Sequence, residues 1–138
     1  LRCLVGSEMC IRDRERSDDT LKDLLLDRDS DLSVTENGDI CLTDSIRQAI
    51  FIRLRWFLGE WKFNPTFGMP YYSRILIKNP SETVIEQLFR EQILSVSEVI
   101  GVEECRAEIN RRLRVCRVTF CANTTQGAIR EEMTIDGI

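Results

Sequence analysis

Ser45–Ser81 reads SIRQAIFIRLRWFLGEWKFNPTFGMPYYSRILIKNPS, a helical pattern followed by an aromatic-rich segment and a second helix start. Its first part has the period of a helix. At about 100° per residue, Ile46, Ala49, Ile50, Leu54 and Phe57 share one face, with Gln48 and Arg55 opposite. The pattern predicts a helix from about Asp44 to Leu58, with Thr43 as its cap and Gly59 closing it. Arg53 falls inside the apolar stripe. A charge there needs a partner, for which Glu60 is nearest in sequence, or a route for its aliphatic stem to water. Trp61 and Phe63 then alternate with Glu60 and Lys62, as in a strand with one buried face. Asn64-Pro65 and Gly68 signal a turn. With Phe67, Tyr71 and Tyr72, the segment has the aromatic density of a core or a protein interface. Its end is a second helix start: Asn79 as cap, Pro80 at the first helical position and Glu82 at the third.

Toward the C-terminus, Ile85, Leu88, Phe89 and Ile93 form a helical stripe that should end near Ser95. The remainder reads as strands. Cys105, Ala107 and Ile109 alternate with Glu104, Arg106 and Glu108, and Asn110 to Arg112 turns the chain. Leu113 and Val115, then Val118 and Phe120, are expected to point inward, with a β-bulge where the parity slips. After a turn over Asn123–Gly127, Ala128–Ile135 is expected to be a last, edge strand, a place where another chain can add a strand.

Toward the N-terminus, short extended pieces between Leu24 and Leu42 are joined by turns, with Asn37-Gly38 the strongest turn signal. Asp27-Arg28-Asp29-Ser30-Asp31 has some of the acids of a calcium loop but lacks its glycine and closing glutamate, so turn carboxylates are the preferred reading. Leu1–Arg14, LRCLVGSEMCIRDR, resembles a translated adaptor peptide found at the start of metagenomic reading frames. The expected organisation is a lead-in over residues 1–17, non-native or disordered, and one domain over 18–138. The fold class is α+β: a small single domain with two main helices packed on a mainly antiparallel sheet.

Composition narrows the chemistry. The 138 residues contain no histidine, which removes the Ser-His-Asp triad, the Cys-His pair and the two-histidine zinc helix together. Six cysteines show no Cys-x-x-Cys spacing and read as free thiols, with no metal or other cofactor expected. A net charge of −4 argues against nucleic acid as a partner, and no apolar run is long enough to cross a membrane.

Ser45–Ser81 resembles the signature of the phage baseplate wedge family that includes the W protein of temperate contractile phages, to which a type VI secretion baseplate subunit is related. The matching features run in order: a helix with Arg53-x-Arg55 near its end, Gly59-Glu60-aromatic, a turn before Gly68-x-Pro70-Tyr71, and a Lys78-Asn79-Pro80 cap. The outline continues through Ile93, Val99, Gly101 and Val102, so the resemblance covers most of Leu24–Met133. One departure stands out: T-even and secretion-system members carry Glu-Pro-Arg where this chain has Glu60-Trp61-Lys62.

The resemblance implies a non-enzymatic structural protein of the virion's tail baseplate, found in the host cytoplasm during assembly. It would be present in several copies around the tail tube and would help to start sheath polymerisation. Its implied partners are other baseplate wedge proteins and the tail sheath protein. Gly59, Glu60 and Trp61 would make the wedge contact, with Arg53 orienting Glu60, and Phe63, Phe67, Tyr71 and Tyr72 as further partner-binding aromatics. Ala128–Ile135, with Ile129 and Met133, would face the sheath. Two alternatives compete. A peptidoglycan-cleaving, lysozyme-like glycosidase would use Glu60 beside Trp61 and Phe63 as its acid, although no second carboxylate stands out. The other is a host protein-interaction domain.

Overall fold

The computed structural model describes residues 22–136, so the lead-in over 1–17 and the adaptor-like segment with Cys3 and Cys10 lie outside the described residues. Two compact units divide between Asp44 and Ser45, a boundary the sequence does not mark.

In the first unit the chain doubles back on itself. β1 (Asp23–Leu24) pairs antiparallel with β2 (Leu42–Thr43), and isolated bridges join Leu26 to Leu32 and Val34 to Ile40. The Asp27 carboxylate accepts the N–H groups of Asp29 and Asp31, at 2.9 and 3.0 Å, so this acid closes a turn through its own side chain. The Asn37-Gly38 turn forms as expected, with the Thr35 carbonyl accepting from Gly38 N–H at 2.9 Å.

The second unit is the α+β body. Helix α1 (Ile46–Arg55) and helix α2 (Glu82–Leu94) accompany an antiparallel sheet in the order β3 (Val99–Asn110), β4 (Val115–Thr124), β5 (Gly127–Asp136). Both expected helical stripes are core: Ile46, Ile50 and Leu54 from α1, and Ile85, Phe89 and Ile93 from α2, are buried. They meet Cys105 and Ala107 of β3, and Cys116, Val118, Phe120 and Ala122 of β4, in one cluster. Burying a side chain of this size is worth about 1.5–3 kcal/mol, so the two stripes and the inward sheet face carry the fold.

Helix starts differ from expectation. The cap of α1 is Ser45, whose hydroxyl accepts from Gln48 N–H at 3.3 Å, and Thr43 belongs to β2. The helix also stops earlier, at Arg55, where Trp56 turns to extended backbone and Met69 bonds to the residues on either side of Phe57: Met69 N–H to Trp56 C=O at 2.7 Å, and Leu58 N–H to Met69 C=O at 2.9 Å. The cap of α2 is Ser81 rather than Asn79, which takes a positive φ of 61° in the approach.

In the sheet, Cys116 rather than Val115 leads the inward row of β4, and Leu113 is 70% exposed in the β3–β4 turn. That turn is held by the Asn110 side chain, which accepts from Arg112 and Leu113 N–H. The irregularities sit in β3, between Val99 and Gly101 and between Val102 and Glu104, so β4 keeps one parity throughout.

Candidate functional site

Phe57 to Met69 forms a loop pinned at its base by the parallel bridge between those two residues. Successive turns fill it, with bonds from Glu60 N–H to Phe57 C=O, Asn64 N–H to Trp61 C=O and Phe67 N–H to Asn64 C=O. The expected Glu60–Phe63 strand is therefore a set of turns, and its supposed buried face is largely open: Trp61 is 39% exposed and Phe63 86%. Alternation misleads here because local turns answer the backbone groups, leaving no neighbouring strand to do so.

The loop base depends on Gly68. Its φ is +113°, and a Cβ there would lie 2.7 Å from the carbonyl carbon and oxygen of Phe57 and 2.8 Å from the Trp56 oxygen. Around this close approach the aromatic rings assemble. Trp56, Trp61 and Phe67 form a triangle with centroids 5.4–5.8 Å apart, and Phe57 stacks against Tyr71 and Tyr72 at 4.8 and 5.2 Å. Tyr71 is buried at the head of a π-helical turn (Tyr71–Ile75), and its hydroxyl donates to the Leu54 carbonyl at the end of α1. Burial pushes the Tyr71 phenol well above its usual pKa. Tyr72, one residue on, is 76% exposed. The indole N–H of Trp56 is buried without an acceptor, which costs about 1–3 kcal/mol.

Arg53 does not orient Glu60. Its Nε donates to Gln92 Oε1 of α2 at 2.9 Å, and its guanidinium lies 3.6 Å from the centre of the Phe67 ring. The charge inside the stripe thus ties α1, α2 and the aromatic loop together, and partial burial lowers its pKa. Glu60 instead reaches back to accept from Phe57 N–H at 3.4 Å, close to the end of α1. It is exposed, whereas a glycosidase acid faces a second carboxylate across a cleft.

The sheet has two edges with different fates. In the antiparallel ladder, residues alternate between turning their backbone groups toward and away from a neighbour. Ala107 and Ile109 of β3 turn theirs away from β4, since their N–H groups donate to Glu86 and Glu82 of α2 at 3.0 and 3.1 Å. The Val102 carbonyl likewise accepts from Arg90 at 2.7 Å. Through the register Ala107–Val118–Met133, it is Arg130, Glu132 and Thr134 of β5 that point their backbone groups outward. Within this unit no described residue hydrogen-bonds to that outer row. The inward side chains of β5, which the sequence leaves unassigned, are Ile129, Glu131, Met133 and Ile135, and only Ile135 is fully buried. Glu131 is held by the Arg47 guanidinium of α1, a hydrogen-bonded pair that raises the Arg47 pKa.

The structure thus places Gly59, Glu60, Trp61, Phe63, Phe67, Tyr71 and Tyr72 in one loop and the turn that follows it, with Arg53 beneath Phe67, and Ile129 and Met133 on the open-edged strand. Sequence reasoning gave Glu82 only a helix-start role and missed Glu86 and Arg90, because a spacing of four looks like an ordinary solvated helix face.

A search of curated proteins returned no match. The family model described as contractile injection system sheath initiator matches residues 22–127, most of the chain, ending at the first residue of β5. The chain belongs to the contractile injection system sheath initiator family, a family of structural components.

Proposed function

We propose that this protein is a baseplate component of a contractile phage tail. It sits in the wedge around the tail tube, and β5 offers the first template for a sheath strand. The observation that carries this reading is the open outer row of Arg130, Glu132 and Thr134, a ready-made acceptor for strand addition. Ile129 and Met133, half-buried beside the edge, would be covered by the incoming strand. The aromatic loop is the second contact. Tyr72 stacks on Phe57; Phe63 and Tyr72 are both largely exposed, and large exposed aromatics suit protein interfaces. In this reading the loop docks on the larger wedge proteins and leaves β5 facing the sheath.

Co-expression with the neighbouring baseplate and sheath genes tests the assignment. Co-purification, with sheath-like polymers in negative stain only when this chain is present, is the expected result. A folded chain that binds neither would overturn it.

A further inference from the structure

We infer that the sheet extends on one side only: helix α2 closes the β3 edge with a row of side chains, so each chain accepts a single partner strand, at β5. The inference rests on the strand-addition reading above and adds to it the residues that give it direction.

A three-stranded sheet has two edges, and either could pair with another chain. On the β3 edge, side chains of α2 engage three backbone groups between Val102 and Ile109. Glu82 takes the Ile109 N–H, Glu86 takes the Ala107 N–H, and Arg90 donates to the Val102 carbonyl. These bonds show α2 running antiparallel to β3, and the spacings fit. Four helix residues advance about 6 Å, close to the ~6.8 Å spanned by two strand residues, so Glu82 and Glu86 meet alternate outward amides. From Ala107 to Val102 the distance is longer and includes an irregularity in the strand, and there the row switches to the longer Arg90. The acids face N–H donors and the arginine faces a carbonyl, so each partner matches its backbone group. The Cys105 thiol adds a bond to the Glu86 carbonyl at 3.5 Å.

β5 lacks such a cover within this unit. Its one helix contact of this kind, Arg47 to Glu131, engages a side chain and leaves the outward backbone groups untouched. A strand added at β5 gains a full row of bonds; one added at β3 would first have to displace three charge-assisted bonds and a helix. The asymmetry also blocks pairing of two copies through β3.

Amide hydrogen exchange on the full chain tests the closed edge without any partner. The Ala107 and Ile109 amides should exchange at least ~10-fold more slowly than those of Glu132 and Thr134, although all four point away from β4. Comparable rates at the four sites would overturn the inference. Glu86→Ala should release Ala107 selectively and Glu86→Gln, which keeps an acceptor oxygen, should restore it. Unchanged Ala107 protection in a folded Glu86→Ala protein would show that the side-chain row does not seal the edge. Native mass spectrometry with the sheath subunit should then give one strand donor per chain, and two donors would contradict one-sided extension. If the sheath subunit does not bind at all while the exchange pattern holds, the sheath role fails and the closed β3 edge stands.

Discussion

Gly68→Ala should be among the most destabilising single-methyl changes in this protein. Two effects add. At φ +113° an L-residue is strained, which costs about 1–3 kcal/mol. The new Cβ would also meet Phe57 and Trp56 backbone atoms at 2.7–2.8 Å, contacts that only movement of the chain can relieve. The chain that would move carries the Met69–Trp56 and Leu58–Met69 hydrogen bonds, each worth about 1 kcal/mol. The expected loss is therefore about 2–4 kcal/mol, measured by urea unfolding, or roughly 10–15 °C in Tm. Near-UV circular dichroism should weaken as well, because the Trp56, Trp61 and Phe67 rings hang from this crossing. Gly59→Ala is the control. Its φ is +84°, but nothing lies within 4 Å of the added methyl, so the strain acts alone and the loss should be about 1–2 kcal/mol. Equal losses at the two positions would refute the close-approach argument, as would a Gly68→Ala loss under about 0.5 kcal/mol.

Tyr71→Phe removes the bond to the Leu54 carbonyl and leaves a buried acceptor unpaired; calorimetry should show a loss of about 1–2 kcal/mol with the fold intact. Phe63→Ser should change stability by no more than about 0.5 kcal/mol, because the side chain is almost fully exposed, yet reduce co-purification with wedge proteins. Stability should also fall in alkali. Burial raises the Cys105 and Cys116 thiols to about 11, above the ordinary value of 9.0. Below pH 9 both folded and unfolded chains hold these protons. Between pH 9 and 11 the unfolded chain releases them while the folded chain keeps them, so unfolding becomes easier as pH rises. Urea midpoints across that window should fall, and fall less in a Cys105→Ala, Cys116→Ala double variant.

Where periodicity is strong, the sequence is legible. Ile46-Ile50-Leu54 and Ile85-Phe89-Ile93 reveal both buried helix faces, because a spacing of three to four admits few other readings. The last strand is also legible, from the Asn123–Gly127 turn before it. Parity is harder. Leu113 and Val115 look inward by hydrophobicity, but the Asn110 turn takes Leu113 out of the ladder, and small Cys116 and Ala122 carry the buried row instead. Trp61-x-Phe63 has strand alternation without a strand to pair with. The Ser45 cap could have been found, since Ser45-x-x-Gln48 has capping-box spacing. The closed β3 edge could not, because Glu82, Glu86 and Arg90 acquire meaning only once β3 lies beside them.

The most direct test of the account is sheath assembly seeded by a Glu132→Pro protein. The Glu132 N–H faces outward, so proline there removes an acceptor-seeking group from the edge without breaking the β4–β5 ladder. Met133→Pro, whose N–H faces β4, should unfold the strand and serves as the contrast. The Glu132→Pro protein should be folded, bind wedge proteins and no longer start sheath polymers. A folded Glu132→Pro protein that seeds sheath as well as the unaltered chain would contradict the role assigned to the β5 edge.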